Sequence, residues 1–585
     1  MMKGTKAVAG MNIKRLEFGI CVAFVLFSAF AGVASARTIY VPDEYAKIQW
    51  AVDNASAGDT IIVRDGTYTE NINVNKPHLT IRSENGADST IVHAANPDDH
   101  VFEVTADYVN ISGFTVKGAT GKTPSYWPCC GIYLNNVQFC NISNSIFSGN
   151  NMGIHLEHSP NNSLIDNVVS NNSNGIWIAY LSNKTLLVNN TVISNSYDGV
   201  RIDNSPNCTL NYNKISDNYH NFGITSPNMV GSSSWCHLFE YTQNIDATNK
   251  VNGKPILYLN NEEDLVIDTQ EVGYLGIVNS TNISVKNLTM INNLQGILLA
   301  YSNHSKIENV SLLNNYEGIT LISSFNNSIS NISAANNWDG ICLYCSSNNQ
   351  ISNNNASIYL GGSSTNRINN NNADGICLSG SFNNTITNNN INSNCGHGIC
   401  LGDSSNNIIS SNNISNNGKS GIYLYDSSNN KIYFNNFINN TNNIYILRNS
   451  TNIWNSTEKI TYIYKGKTFT NYLGNYWDDY TGSDADEDGI GDTPYSIDGD
   501  KDNYPLMERF ENYFGGVEEE YNPKVSVPPY APFAEYGYVG TNLTFIIKVE
   551  NKGTKEDTID LTARPYYPAL LDLSLIHISE PTRPY

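Results

Sequence analysis

The chain has 585 residues and a formal net charge of -21, from 54 acidic against 33 basic side chains. That balance argues against nucleic acid as a partner and for a solvated surface able to hold cations. Several domains would fit the length, but one short repeat occupies most of it.

Residues 1–36 read as a signal peptide. Lys3, Lys6, Lys14 and Arg15 are its basic region, Phe18 to Phe30 are nearly all apolar, and Ala34, Ser35 and Ala36 precede a cut ahead of Arg37. An uncleaved N-terminal anchor is the alternative. The signal implies export to the extracellular space or cell surface, and no membrane-spanning segment is expected after it.

Residues 37–130 are expected to form a cap and the first coils. Ile48, Ala51, Val52 and Ala55 have helical spacing and Gly58 stops them. A short amphipathic helix there would cover the apolar end of the first coil. Strands are expected at Ile61 to Val63, Ile72 to Val74 and Leu79 to Ile81.

From 131 to 460 a pattern recurs: Gly-Ile, an outward residue, Leu or Ile, then Ser and Asn with isolated apolar residues. Its anchors are Gly131, Gly153, Gly175 and Gly199, then Gly276, Gly296, Gly318 and Gly340, then Gly375, Gly398 and Gly421, with steps of 20 to 24 residues within each group. Apolar pairs two apart, such as Ile132 and Leu134, are strand periodicity, and each unit is too short for a helical hairpin. Stacked units therefore predict an all-β fold, a right-handed parallel β-helix with one continuous core. Asparagine is expected at the bends, where it tolerates the left-handed region and its amides can ladder between coils. The glycine is expected to turn the chain sharply into the strand. A reduced coil, Ile358 to Leu360, has Ser357 in its place. Register breaks over 225–270, an excursion that could be a binding face or a distorted coil.

Cys377 and Cys400 occupy the same outward slot of consecutive coils, about 4.8 Å apart, within disulfide reach. A bridge and two free thiols both remain open. Asn110, Asn141, Asn171, Asn183, Asn189, Asn207, Asn282, Asn287, Asn303 and Asn542 begin Asn-x-Ser/Thr triplets and are glycosylation candidates.

Residues 461–515 form an Asp-rich closing segment. Asp484, Asp486, Asp488 and Asp492, with Gly489 at position 6, match the loop spacing that wraps calcium, though Tyr495 stands where a closing Glu would be. Asp498, Asp500 or Asp502 could complete the shell. A proline-bearing linker and a partial β-sandwich-like domain are expected over 516–573, and the tail, 574–585, does not continue the pattern.

The opening from Val41 to Tyr68 resembles that of pectin-lyase-like right-handed β-helices. The array, with Gly253-Lys254-Pro255 and the Gly296 and Gly318 coils, resembles the NosD-type repeat family called periplasmic copper-binding. The run Asn475 to Tyr480, continuing to Tyr504-Pro505-Leu506, is similar to the closing segment of archaeal surface proteins built on that family. The family name implies copper and a role in maturing a copper enzyme. Against copper, Met152, Met229, Met290 and Met507 are scattered, and His155 and His158 read as surface or loop histidines.

Four functions remain in view. The first is an exported surface protein binding envelope polysaccharide or a surface glycoprotein without catalysis, with Trp177, Tyr180, Tyr344 and Tyr423 as outward rings able to stack on sugars. A polysaccharide lyase or glycoside hydrolase would draw on Asp198, Arg201 and Asp203, since Arg201 and Asp203 share a strand face. The others are a copper-site maturation accessory and a surface-layer spacer.

Overall fold

The computed structural model describes residues 6–7, 36–123, 128–226, 237–392, 396–448, 450–514, 523–526 and 548–551. Most of the signal peptide, Cys236, Cys395, Asn542 and the tail from 574 lie outside them. The chain divides into two units, Met1–Tyr513 and Phe514–Tyr585.

In the first block each coil contributes three short strands to three parallel sheets, while in the second block two of them merge in places into one, as in Lys306–Leu313 and Ser328–Ala335. One coil of the first block reads Asn141–Ser143, Ile146–Ser148 and Met152–Glu157, and its neighbour Ser163–Ile165, Val168–Ser170 and Asn174–Ala179. Ile132, Ile154 and Ile176 are successive register partners, as are Leu134, Leu156 and Ile178. The inward residues are therefore stacked and buried, as the period of two requires. The helix Ile48–Asn54 buries Ile48, Ala51 and Val52 against the first coil. Its first two amides donate to the Glu70 carboxylate at 2.9 and 3.0 Å.

The asparagines divide their work between two adjacent positions. Asn383 and Asn388 hold positive φ at the bends. Their followers, Asn384 and Asn389, turn inward, and each donates its amide to the next Asn along the stack. One such ladder runs Asn354, Asn371, Asn389, Asn412, Asn435, Asn475, with Nδ2 to Oδ1 distances of 2.9 to 3.0 Å. Each amide also serves a main-chain carbonyl and a main-chain N–H, so the buried polar groups of the corner are paired.

Two expectations about the repeat are corrected. Gly153, Gly175 and Gly318 do not have positive φ. A Cβ on Gly175 would lie 2.4 Å from the Gly199 carbonyl oxygen, and one on Gly318 2.3 Å from that of Gly340. The glycine is there because adjacent coils touch main chain to main chain, and no turn requires it. The core is also not continuous. One cluster runs from Ile39 to Tyr274 and takes in Val278, Leu298, Ala300, Ile322, Cys342 and Tyr344 of the second block, a second runs from Ile267 to Ile497, and a third, around Tyr462, Tyr464 and Tyr513, lies under the closing segment.

The break is the irregular segment, and it is a distorted coil. Asn244–Ile245 and Lys250–Val251 continue two sheets, then Asn252 and Gly253, at φ of 49° and 79°, reverse the chain so that Lys254 and Pro255 pair antiparallel with Val251 and Lys250. Asn-Gly supplies the left-handed pair that a tight hairpin needs. The second block then docks on the first, with Asn221 N donating to Asn292 O at 2.6 Å and Leu294 N to Phe222 O at 3.0 Å.

The closing segment seals the other end. Tyr476–Trp477 pairs with Asn436–Ile438 as a last coil, and Trp477 lies between Phe437 at 4.3 Å and Tyr495 at 4.2 Å. In the second unit, Pro523–Ser526 pairs antiparallel with Lys548–Asn551. Pro523, expected in a linker, opens a strand, where its missing N–H costs nothing on an edge.

Candidate functional site

The outer side of the Gly-Ile sheet in the first block carries the most concentrated chemistry. Strand Asp198–Asp203 presents Arg201, whose guanidinium lies 3.7 Å from Asp198, 3.4 Å from Asp203 and 5.3 Å from the Trp177 ring centre. His220, on the next strand, places Nδ1 3.0 Å from Asp198 Oδ1. Asp203 is buried, which raises its pKa against the opposing pull of Arg201 and Thr225. The three residues named for catalysis are thus together, and His220 joins them. Beside them is a cleft of about 230 Å³, lined by Trp177, Tyr197, Asp198 and Arg201 with Pro128, Met152, Asn174 and Ile176.

The four aromatics expected to face sugars do not offer free ring faces. Trp177 is half-buried between His155, stacked at 4.9 Å, and Arg201. Tyr180 stacks on His158, and Tyr423 lies between His397 and Tyr445. Tyr344 is buried and donates its hydroxyl to Glu317 at 2.7 Å. His155 is no surface histidine, since burial pushes its pKa down to about 3.

The exposed rings belong to other residues. Tyr197, Tyr219, Tyr316 and Trp338 are 57, 62, 42 and 76% exposed. Tyr197 and Tyr219 are 5.9 Å apart, His220 and Tyr316 5.9 Å, and Tyr316 and Trp338 6.2 Å and nearly parallel. They form one row that crosses the junction, because the second block docks on the His220 coil. A sequence signal existed: Tyr197-Asp198-Gly199, Tyr316-Glu317-Gly318 and Trp338-Asp339-Gly340 repeat an aromatic, an acid and the anchor glycine.

Asp484, Asp486 and Asp488 bring carboxylate oxygens within 4.8 Å of one another. Burial and the two like charges beside it raise the pKa of Asp488, which a cation would relieve. Asp492 is not in this group, because its carboxylate accepts from Ser483 Oγ and Ala485 N at 2.9 Å. Asp500 and Asp502 do not complete it either, since they accept from Trp454 and Trp477.

Cys377 and Cys400 are register partners and both are free thiols. Their mutual hydrogen bond pushes the pKa of Cys377 up and that of Cys400 down. Among the glycosylation candidates Asn171, Asn189, Asn207, Asn282 and Asn287 are exposed, and Asn110, Asn141, Asn183 and Asn303 are half-buried.

Coils of three parallel strands, stacked amides and sealed ends define a right-handed parallel β-solenoid. Residues 52–235 and 240–482 match the family described as periplasmic copper-binding protein (NosD), and the chain belongs to that family. Over 123 residues, 21% of this chain and 18% of the other protein, it is 38% identical to a cell surface glycoprotein of Methanothermus fervidus. It thus spans less than a fifth of that relative's length. Structures with a similar course include pectate lyase Pel9A, at 16% identity and TM-score 0.29, covering 57% of this chain and 79% of that one. Another is the A-module of Azotobacter vinelandii mannuronan C-5 epimerase AlgE4, at 14% and 0.27, covering 71% and 99%. Likeness at that level says nothing about activity.

An extracellular or cell-surface address, reached through a signal sequence, agrees with the family and the surface-glycoprotein match. Among the described residues no helix is long and apolar enough to cross a membrane. The family's copper does not fit the described residues. The clustered ligands are hard aspartate oxygens, and Cys130, in register with Met152, is buried with its thiol pKa pushed well up, away from the thiolate that copper would take.

Proposed function

We propose that this exported surface protein binds a glycan, without catalysis, along the row formed by Tyr197, Tyr219, Tyr316 and Trp338. The observation that carries this reading is four exposed rings in two pairs, Tyr197 with Tyr219 and Tyr316 with Trp338, each pair on adjacent coils that advance ~4.8 Å along the stack, a spacing comparable with one pyranose ring. Aromatic faces stack on the apolar faces of sugars, and the Asn and Ser side chains around them supply hydrogen bonds. A match to a cell surface glycoprotein agrees with an envelope partner. Two of the nearby carboxylates support binding over catalysis: Asp198 is held by His220 and Arg201, and Glu317 by Thr320 and Tyr344. Neither has the freedom of a general acid facing a second carboxylate across a sugar.

On a glycan array, Trp338→Ala and Tyr316→Ala are each expected to weaken binding by about tenfold or more with the fold intact, as exposed aromatic anchors do. Retention of full binding by both variants would remove the row from the site. No binding by the unmodified chain to the array or to envelope extract would favour a spacer.

The cation of Asp484, Asp486 and Asp488 is calcium in this reading, since carboxylates on one short loop are its usual ligands. Calorimetry is expected to show one calcium per chain and a gain in Tm with added calcium, both lost in the Asp484→Asn, Asp486→Asn double variant. Equal heats and Tm with and without calcium would sink the assignment.

A further inference from the structure

The polar residues beside the four rings distinguish one class of glycan from another, given the reading above that the row holds a glycan at all. Each ring is followed in the chain by a residue on the adjoining strand: Asp198, His220, Glu317 and Asp339. Asp198 and His220 are register partners, as are Glu317 and Asp339. The row thus has a carboxyl group behind Tyr197, Tyr316 and Trp338, and His220 behind Tyr219.

The cations along it are already committed. Arg201 faces two carboxylates, Asp198 at 3.7 Å and Asp203 at 3.4 Å, its Nε donates to Thr225, and it covers the Trp177 ring. Asp198 also takes His220. Glu317 is buried and accepts only from the neutral hydroxyls of Thr320 and Tyr344. Asp339, half-buried beside the most exposed ring of the row, has no ion-pair partner among the described residues. Arg201 therefore has no charge to spare for a ligand, and the Trp338 end presents one carboxyl group, Asp339, without an ion-pair partner among the described residues.

We infer that the row takes a glycan free of acidic groups, a neutral hexose or amino-sugar chain, and rejects polyuronates and sulfated chains. A uronate stacked on Trp338 would bring its carboxylate toward Asp339 with no cation to meet it. That repulsion is felt within a Debye length and screened by salt. An amine on the sugar would instead find Asp339 unpaired.

The test uses the full chain and three size-matched oligosaccharide sets: neutral hexose oligomers, free-amine glucosamine oligomers and oligogalacturonates, each at low and high salt. The neutral and amino sets are expected to bind. The uronates are expected to bind about tenfold or more weakly at low salt, with the gap narrowing at high salt. In Asp339→Lys, checked by circular dichroism, uronate binding is expected to rise while neutral binding holds. If uronates bind as well as neutral chains at low salt, or if Asp339→Lys changes nothing, the selectivity is wrong; loss of that binding in Trp338→Ala would then leave the row standing as a glycan site. If no set binds, the glycan reading fails and this inference with it.

Discussion

Asn389→Leu is expected to destabilise the second block by about 2–5 kcal/mol although leucine keeps the same branched shape, because it strands two buried donors. Asn389 Oδ1 accepts from both the N–H and the Nδ2 of Asn371 at 2.9 Å, and its own amide donates to Ile368 O and to Asn412 Oδ1. No water can reach a residue that is 1% exposed. Asn390→Ala, one position along and exposed, is expected to cost about 1 kcal/mol or less. Urea unfolding measures both, and amide exchange at Asn371 localises the damage. Equal costs at 389 and 390 would mean that the ladder contributes little beyond filling space.

Asp502 sets a pH dependence in the closing segment. It is fully buried and accepts from Asn475 N at 2.8 Å, Tyr504 N at 2.9 Å and Trp477 Nε1 at 3.0 Å. Burial nonetheless pushes its pKa up to about 6, the hydrogen bonds opposing. Because this folded-state value is above the unfolded one, the folded protein keeps a proton that the unfolded chain releases. The associated stability is fully present below about pH 4 and is lost as pH rises through about 6, on the order of 3 kcal/mol in all. Chemical unfolding across that range is expected to show this decline, and Asp502→Asn is expected to flatten it. Asp502→Ala, leaving three buried donors without an acceptor, is expected to cost about 3–5 kcal/mol at neutral pH. A decline that persists unchanged in Asp502→Asn would assign it to other groups.

The candidate site was partly legible. Asp198, Arg201 and Asp203 lie within one strand, so the period of two was enough to place Arg201 and Asp203 on the same face. His220 is a coil further on, and the outward position of Trp177 does not reveal what stacks on it. Two His-Tyr stacks and one buried Tyr account for the other three aromatics. The exposed row needs His220 to meet Tyr316, nearly a hundred residues away in the chain. That proximity exists only because the chain reverses at Asn252-Gly253 and the second block docks on the first.

Composition, the anchor spacing and the apolar pairs determined by themselves the export signal, the coil, its inward residues and the sealing helix, since all of these depend on contacts within one period or between identical neighbours. The Asn-Asn pairs belong with them, although their two roles separate only in three dimensions: the first position needs only positive φ, and Tyr212, Thr365 and Phe434 also occupy it, whereas the second must offer an amide to the next coil. Tertiary structure decided where the core breaks, which rings remain in solvent, and which aspartates turn toward one another and which toward a tryptophan. Those outcomes depend on how one irregular coil reorients everything after it, and a repeat that counts residues carries no record of an angle.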